Sequence, residues 1–305
     1  MSRRAIACLL GCASAFLASA VSIAAEPPAG GFKVFISVDM EGVAGVVTGD
    51  QLGPQGFEYE RFRRFMTDEA VAAVRAAKDA GAAEVVVADA HGNGESLLIE
   101  EFPKDVRIVR SWPRHGGMMA GLDSSFGAAL FIGYHASTTN PNGVRAHTIS
   151  SAHFTRVALN GVPVTEAEFN AAYAGMLGVP VVFASGDDAA IAEITARLGE
   201  LGTVTTKKSL GFHSAETLTP AAACDAIYKG ALASIQHRDG RHPYLLKTPI
   251  TLELSFKNHQ AAEILSYLRS VQRTDAHSIR FTGRDMQEIS DFMEVLDSFN
   301  PDATP

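Results

Sequence analysis

Cysteine is scarce. The 305-residue sequence holds three, at positions 8, 12 and 224, and two of them fall within the first 25 residues. Without that segment Cys224 has no partner, so no intramolecular disulfide can form. The fold must then be held by its core, by subunit contacts or by metal. Basic tracts are absent as well. Lys and Arg number 26 against 34 Asp and Glu, a formal net charge of −8, which argues against a nucleic-acid partner. No internal repeat and no low-complexity tract interrupts the chain. What remains is an ordinary globular composition, 47% hydrophobic and 20% charged. The length allows one large domain or two moderate ones with a packed core.

The first 25 residues stand apart. Arg3 and Arg4 precede an apolar stretch from Ala5 to Ala25, which ends in the small residues of "SIAAE". This is the layout of a secretory signal peptide, with cleavage expected just before Ala25 or Glu26. The expected location is therefore exported, periplasmic or extracellular, with no stable membrane insertion after cleavage. An uncleaved anchor is the alternative, since the stretch is long enough to span. The small-residue end and the following "EPPAGG" favour cleavage. Lipid attachment at Cys12 is opposed by the apolar run, which continues to Ile23.

The remainder alternates strand and helix patterns. Residues 33–38, 84–89, 128–133 and 180–185 are continuous apolar runs, as expected for strands buried on both faces of a parallel sheet. Between the first two lies a run of strong helix formers that stops at Gly81. Residues 166–178 and 187–200 also read as helices. Asn160-Gly161 between apolar alternations predicts a hairpin. After about residue 205 the character changes: helix 220–236, a polar stretch containing Pro, an alternating strand at 251–256, a helix, a strand near 277–282 and a final helix from about 284. The expectation is an α/β fold, a three-layer mainly parallel sheet with a smaller C-terminal α+β segment. Its division would be 1–25 signal peptide, 26–205 catalytic domain and 206–305 smaller domain.

In open α/β sheets, ligands bind beyond the carboxyl ends of the strands. After the first strand, "SVDMEG" places Asp39 and Glu41 two residues apart, on one side of an extended chain. Two crowded acids repel unless one keeps a proton or a cation sits between them; the alternative is that Glu41 faces solvent in a loop. "DAHGNG" follows the second strand with His91, and Asp89 as an orienting group. "GYHA" follows the third with His135. Carboxylates and neutral imidazoles are the ligands of zinc and similar divalent ions. A lone histidine is more often structural; two at equivalent strand ends beside an acid pair favour a metal. Thr165 and Glu168 fit a capping box, which frees Glu166 to face elsewhere, although a helix N-terminus favours an acid anyway. His147 follows the "STTNPNG" loop. It is poorly placed as a ligand but able to fold back as a proton donor or acceptor.

"SVDMEGVAG", "DAHGNG", "FIGYHA", "GVRAHTIS" and "VTEAEFNAAYAGMLGVPVVFASGDD" together resemble the DppA-like D-aminopeptidase family of dinuclear zinc metallopeptidases, from about residue 33 to 190. "KKSLGFHSAETLTP" and "TLELSF" are a looser likeness. The resemblance implies two Zn2+ ions per subunit, with Asp39 bridging and Glu41, His91, His135 and Glu166 completing the ligand set. It implies His147 as the catalytic residue, N-terminal exopeptidase action on short D-amino-acid peptides such as D-Ala-D-Ala, and a decameric homo-oligomeric ring. The export signal departs from the family's setting. The rival readings are a dinuclear metallohydrolase of another amide or ester, and a peptide-binding accessory protein without catalysis.

Overall fold

The computed structural model describes residues 31–298; the segment 1–25 read as a signal peptide lies outside the described residues. The chain begins with β1 (Lys33–Val38), α1 (Tyr59–Asp79), β2 (Glu84–Asp89), β3 (Arg107–Val109) and β4 (Phe126–Tyr134). A hairpin, β5 (Phe154–Leu159) and β6 (Val162–Pro163), precedes α2 (Glu166–Met176), β7 (Val181–Asp187), α3 (Asp188–Leu198), β8 (Gly202–Gly211), β9 (Ser214–Thr217) and α4 (Pro220–Gln236). The last segment holds β10 (Ile250–Phe256), α5 (His259–Leu265), β11 (Val271–Arg273), β12 (Ser278–Gly283) and α6 (Met286–Ser298).

Helix α1 shows how local sequence sets an element. Phe62, Met66, Ala70, Ala73 and Ala77 recur at three- and four-residue spacing and are buried as one face. The helix ends where Gly81 takes φ 89°. Gly81 N–H then donates to Lys78 O (2.9 Å) and Ala82 N–H to Ala77 O (3.0 Å), which satisfies carbonyls the helix leaves open.

The main sheet has strand order β3-β2-β1-β4-β7-β8-β9. Its pairs are parallel except β8 with β9. Successive residues of β1 serve opposite faces. Val34, Ile36 and Val38 join α1 and α4 in one core, whereas Phe35 joins α2 and the second sheet in another. Because β2 and β4 lie on opposite sides of β1, the strand order reverses between β1 and β4, the place where open sheets build their sites.

The second sheet is antiparallel, in order β11-β12-β10-β5-β6. Residue 205, the expected boundary, falls inside β8, which pairs with β7 in the main sheet, and α4 packs against α1. Conversely, the hairpin 154–163 leaves the main sheet and pairs with β10. The hairpin turn itself is as expected, with φ 50° at Asn160 and 83° at Gly161.

Two glycines bring the ends of β1 and β4 together. Gly42 N–H donates to Gly133 O (2.7 Å). A Cβ on Gly42 would lie 2.0 Å from Tyr134 O, and one on Gly133 would lie 2.2 Å from Asp39 O. Gly42→Ala therefore has to part the two strand ends. We expect an overpacking cost of at least about 1–3 kcal/mol, read as a melting temperature lower by several degrees. An unchanged melting curve would show that the ends have room to spare.

Candidate metal centre

All six residues singled out in the sequence meet at this reversal point. Asp39, Glu41, His91, His135 and Glu166 are buried, and His147 is partly so. Asp39 faces two ways. Its Oδ1 lies 3.2 Å from His91 Nδ1, and its Oδ2 lies 3.2 Å from His135 Nε2. Glu41 Oε2 is 2.9 Å from His91 Nδ1, and Glu166 Oε2 is 3.4 Å from His135 Nε2. The ligand atoms of Asp39, Glu41 and His135 lie within 4.8 Å of one another, as do those of His135, His147 and Glu166.

The far side of each imidazole fixes which nitrogen faces the centre. His91 Nε2 lies 2.7 Å from Leu52 O, His135 Nδ1 lies 3.1 Å from Ala136 O, and His147 Nδ1 lies 2.9 Å from Arg145 O. A carbonyl oxygen can only accept, so each of those nitrogens carries the proton. In the neutral ring the opposite nitrogen then points a lone pair at carboxylates. Despite the short approaches, Asp39 Oδ2, Glu41 Oε2 and His135 Nε2 are buried without a hydrogen bond. Lone pairs facing lone pairs require either extra protons or a cation. Carboxylate oxygens with imidazole nitrogens are a donor set that zinc accepts, so the residues fit the metal their motifs implied.

The electrostatics have the same origin. Burial opposes charge on every group. Glu41 and Asp39 nevertheless hold His91 well above the usual imidazole range, and Glu166 and Asp39 do the same for His135. The histidines in turn keep Glu41 well below, and Glu166 below, the usual carboxylate range. Asp39 goes the other way: burial, then the charge of Glu41, raise it. It is the carboxylate that most needs a cation.

Glu166 reaches the centre because its helix is capped without it. Thr165 Oγ1 accepts from Glu168 N–H (3.0 Å), and Glu168 Oε2 accepts from Thr165 N–H (3.1 Å). Glu166 Oε1 instead accepts from Ile149 N–H (2.7 Å). That bond ties α2 to the loop carrying His147. The His147 ring stacks on His135 at 4.1 Å between centroids, 11° from parallel, and its Nε2 lies 3.8 Å from Glu166 Oε1. It sits closer to ligand position than its place in the sequence suggested. Asp89 differs from expectation: it orients no imidazole, and its Oδ2 accepts from Leu97 N–H (2.7 Å), closing the loop after His91.

A cavity of about 460 Å³ opens on the centre. Trp112, Met118, Phe169 and Met293 line it along with three charged side chains from outside the centre, Arg145, Glu294 and Asp297. None of these stands out in the sequence as a site residue. Arg145 lies within "GVRAHTIS" and carries a signal by neighbourhood; Met293 and Glu294, on α6, carry none.

A structure described as the Zn-dependent D-aminopeptidase DppA from Bacillus subtilis, a self-compartmentalizing protease, superposes with a TM-score of 0.82 at 28% identity, covering 88% of this chain and 100% of that one. A curated D-aminopeptidase of Bacillus subtilis (strain 168) is 30% identical over 267 residues, 87% of this chain and 96% of the relative. The model of the D-aminopeptidase family matches residues 32–295, a span that includes every residue of the centre, and the chain belongs to that family.

Proposed function

We propose that the protein is an exported zinc-dependent aminopeptidase that removes N-terminal residues from short D-amino-acid peptides such as D-Ala-D-Ala. The observation that carries this reading is the buried set of carboxylates and imidazole lone pairs in which Asp39 Oδ2, Glu41 Oε2 and His135 Nε2 have no hydrogen bond. The zinc dependence of the related Bacillus subtilis enzyme supports it. In this reading Asp39, Glu41 and His91 would hold one ion, and Asp39, His135 and Glu166 a second. The two oxygens of Asp39 face different histidines, which is what a shared ligand would need. Zinc at such a site supplies Lewis acidity, polarising a carbonyl and bringing the pKa of a water toward about 7. The relative's description as self-compartmentalizing supports a homo-oligomer here, for which we propose the decameric ring.

The chain's own part in the chemistry falls to His147. Its Nδ1–H is committed to Arg145 O, which leaves Nε2, 3.8 Å from Glu166 Oε1, as the nitrogen able to exchange a proton. That nitrogen takes the proton lost when water attacks the peptide carbonyl and returns it to the leaving amine. While protonated, it donates to the oxyanion that forms in between. The stacked His135 ring holds it in place.

Turnover of D-Ala-D-Ala, L-Ala-L-Ala and a phenyl phosphate by the zinc-loaded protein tests the substrate class. We expect the D-dipeptide to be strongly preferred. Preference for the phosphate would favour another metallohydrolase, and zinc binding with no turnover of any of the three would favour an accessory binding protein.

Two variants separate the roles. Asp39→Asn should lose both ions, because a neutral amide bridges two cations poorly; two zinc ions retained per subunit would rule out the bridge. His147→Ala should keep its zinc while kcat falls at least about a hundredfold with a much smaller change in KM. Near-normal kcat would remove His147 from the chemistry, and loss of zinc would move it among the ligands.

Export is tested separately. N-terminal sequencing of the soluble protein from the native host should begin near Ala25 or Glu26, and a chain starting at Met1 or Ser2 would refute it.

A further inference from the structure

We infer that Lys207, on the strand β8, is a positioning residue for the acid pair: its ammonium grips the loop that carries Asp39 and Glu41 and sets the geometry in which they meet metal. The inference rests on the metal reading above.

Lys207 is only 2% exposed. Its Nζ donates to three backbone carbonyls, those of Glu41, Val43 (2.8 Å) and Val46 (2.8 Å). An ammonium has three donors, so none is left for a substrate, and a role as base or nucleophile is closed. Burying an uncompensated ammonium is costly, and burial lowers Lys207 to about 8, against the pull of Asp187, Glu69, Glu41 and Asp39. The lysine sits among acids and amide dipoles that oppose its neutralisation.

Its neighbours complete the grip. Thr206 Oγ1 directs its one proton to Gly42 O (2.6 Å), with Gly186 O farther off at 3.1 Å. Ala44 N–H donates to Glu69 Oε1 (2.9 Å), and Gly45 N–H to Thr217 Oγ1 (2.8 Å). From Glu41 to Val46, then, the backbone is held from outside by β8, β9 and α1. A loop that presents two repelling carboxylates is under electrostatic pressure to open; this harness opposes it. The "KKSLGFHSAETLTP" stretch thereby gains a physical role as the strand pair that holds the first metal-facing loop.

The test uses zinc-free protein, with zinc affinity measured by chelator competition under conditions where far-UV circular dichroism shows full folding. A cobalt-loaded absorption spectrum reports ligand geometry. Removing a group that orients metal ligands typically weakens binding about 10–100-fold, and we expect at least tenfold for Lys207→Met, together with a shifted cobalt band. A purely structural lysine would lower the melting temperature but leave the affinity and the spectrum of the folded fraction unchanged, and that result overturns the inference. Should Lys207→Met not fold, Thr206→Val, which removes the bond to Gly42 O at nearly constant volume, carries the test. Weaker zinc binding supports the inference, and wild-type affinity overturns it. Failure of the wild-type protein to bind zinc would overturn the metal reading itself, and this inference with it.

Discussion

Crowded carboxylate charge, buried with too few hydrogen-bond donors to balance it, is the constraint to which the rest of the molecule answers. Asp39, Glu41 and Glu166 are each no more than 5% exposed; Asp39 faces both His91 and His135, Glu41 faces His91 and Glu166 faces His135. The effective penalty for burying an ion runs to several kcal/mol, and like charges add to it. Such a cluster persists only if the surrounding fold over-determines it and a counter-charge completes it. Both conditions shape the structure. Glycines draw the ends of β1 and β4 together, a capping box leaves Glu166 free, and three backbone carbonyls fix the imidazoles. A cation is the one component whose charge has to come from outside the chain.

The architecture supplies the concavity. Strand order reverses between β1 and β4, so the loops after them diverge to opposite sides and leave a crevice. The second sheet turns that crevice into a cavity. Its strands share one apolar core with the α2 face of the main sheet, and α6 in the same core carries Met293 to the cavity wall. The hairpin 154–163 is the hinge of this arrangement. It leaves the chain just after the His147 loop and returns at Thr165, so the sequence between two site residues is spent on building the opposite wall.

Much of this is legible in sequence, for a physical reason. Strands β1, β2, β4 and β7 are buried on both faces and therefore read as unbroken apolar runs. Ligands of an open sheet follow such runs directly, so Asp39, Glu41, His91 and His135 can be picked out without the fold. Strand β8 escapes the same logic. In "GTVTTKKSLG" the buried residues are Thr206 and Lys207, polar because they hold a loop rather than fill a core, and no hydrophobic period marks them. The expected boundary at 205 lies where apolar patterning fades, yet hydrogen bonding continues through it. The short strands β3 and β11, three residues each, have too little sequence to show a period. Met293 and Glu294 reach the cavity only through tertiary packing, which no local pattern records.

Protons and metal compete for the same nitrogens, and the competition has a direction. In the metal-free site His91 and His135 are raised above the ordinary imidazole value of 6.5. Their contribution to stability is therefore fully present below about that pH and is lost as pH rises through the raised values. Glu41 and Glu166 are depressed below the ordinary carboxylate value of 4.5, so theirs is present above that pH and lost as acid reaches the depressed values. A proton-filled site is thus best supported between the two ordinary values, on the acid side of neutrality. As pH rises through the raised histidine values the protons leave and the repulsion returns, including at Asp39, where burial and the charge of Glu41 already oppose ionisation. A divalent ion fills that gap, because it binds the deprotonated nitrogens and carboxylates that higher pH exposes. The proton on the outer nitrogen of each imidazole need not move, since the carbonyls of Leu52, Ala136 and Arg145 hold it in both states. The fold has set the tautomers in advance, and exchanging protons for metal then asks for a change of charge at the centre with no change of hydrogen bonding around it.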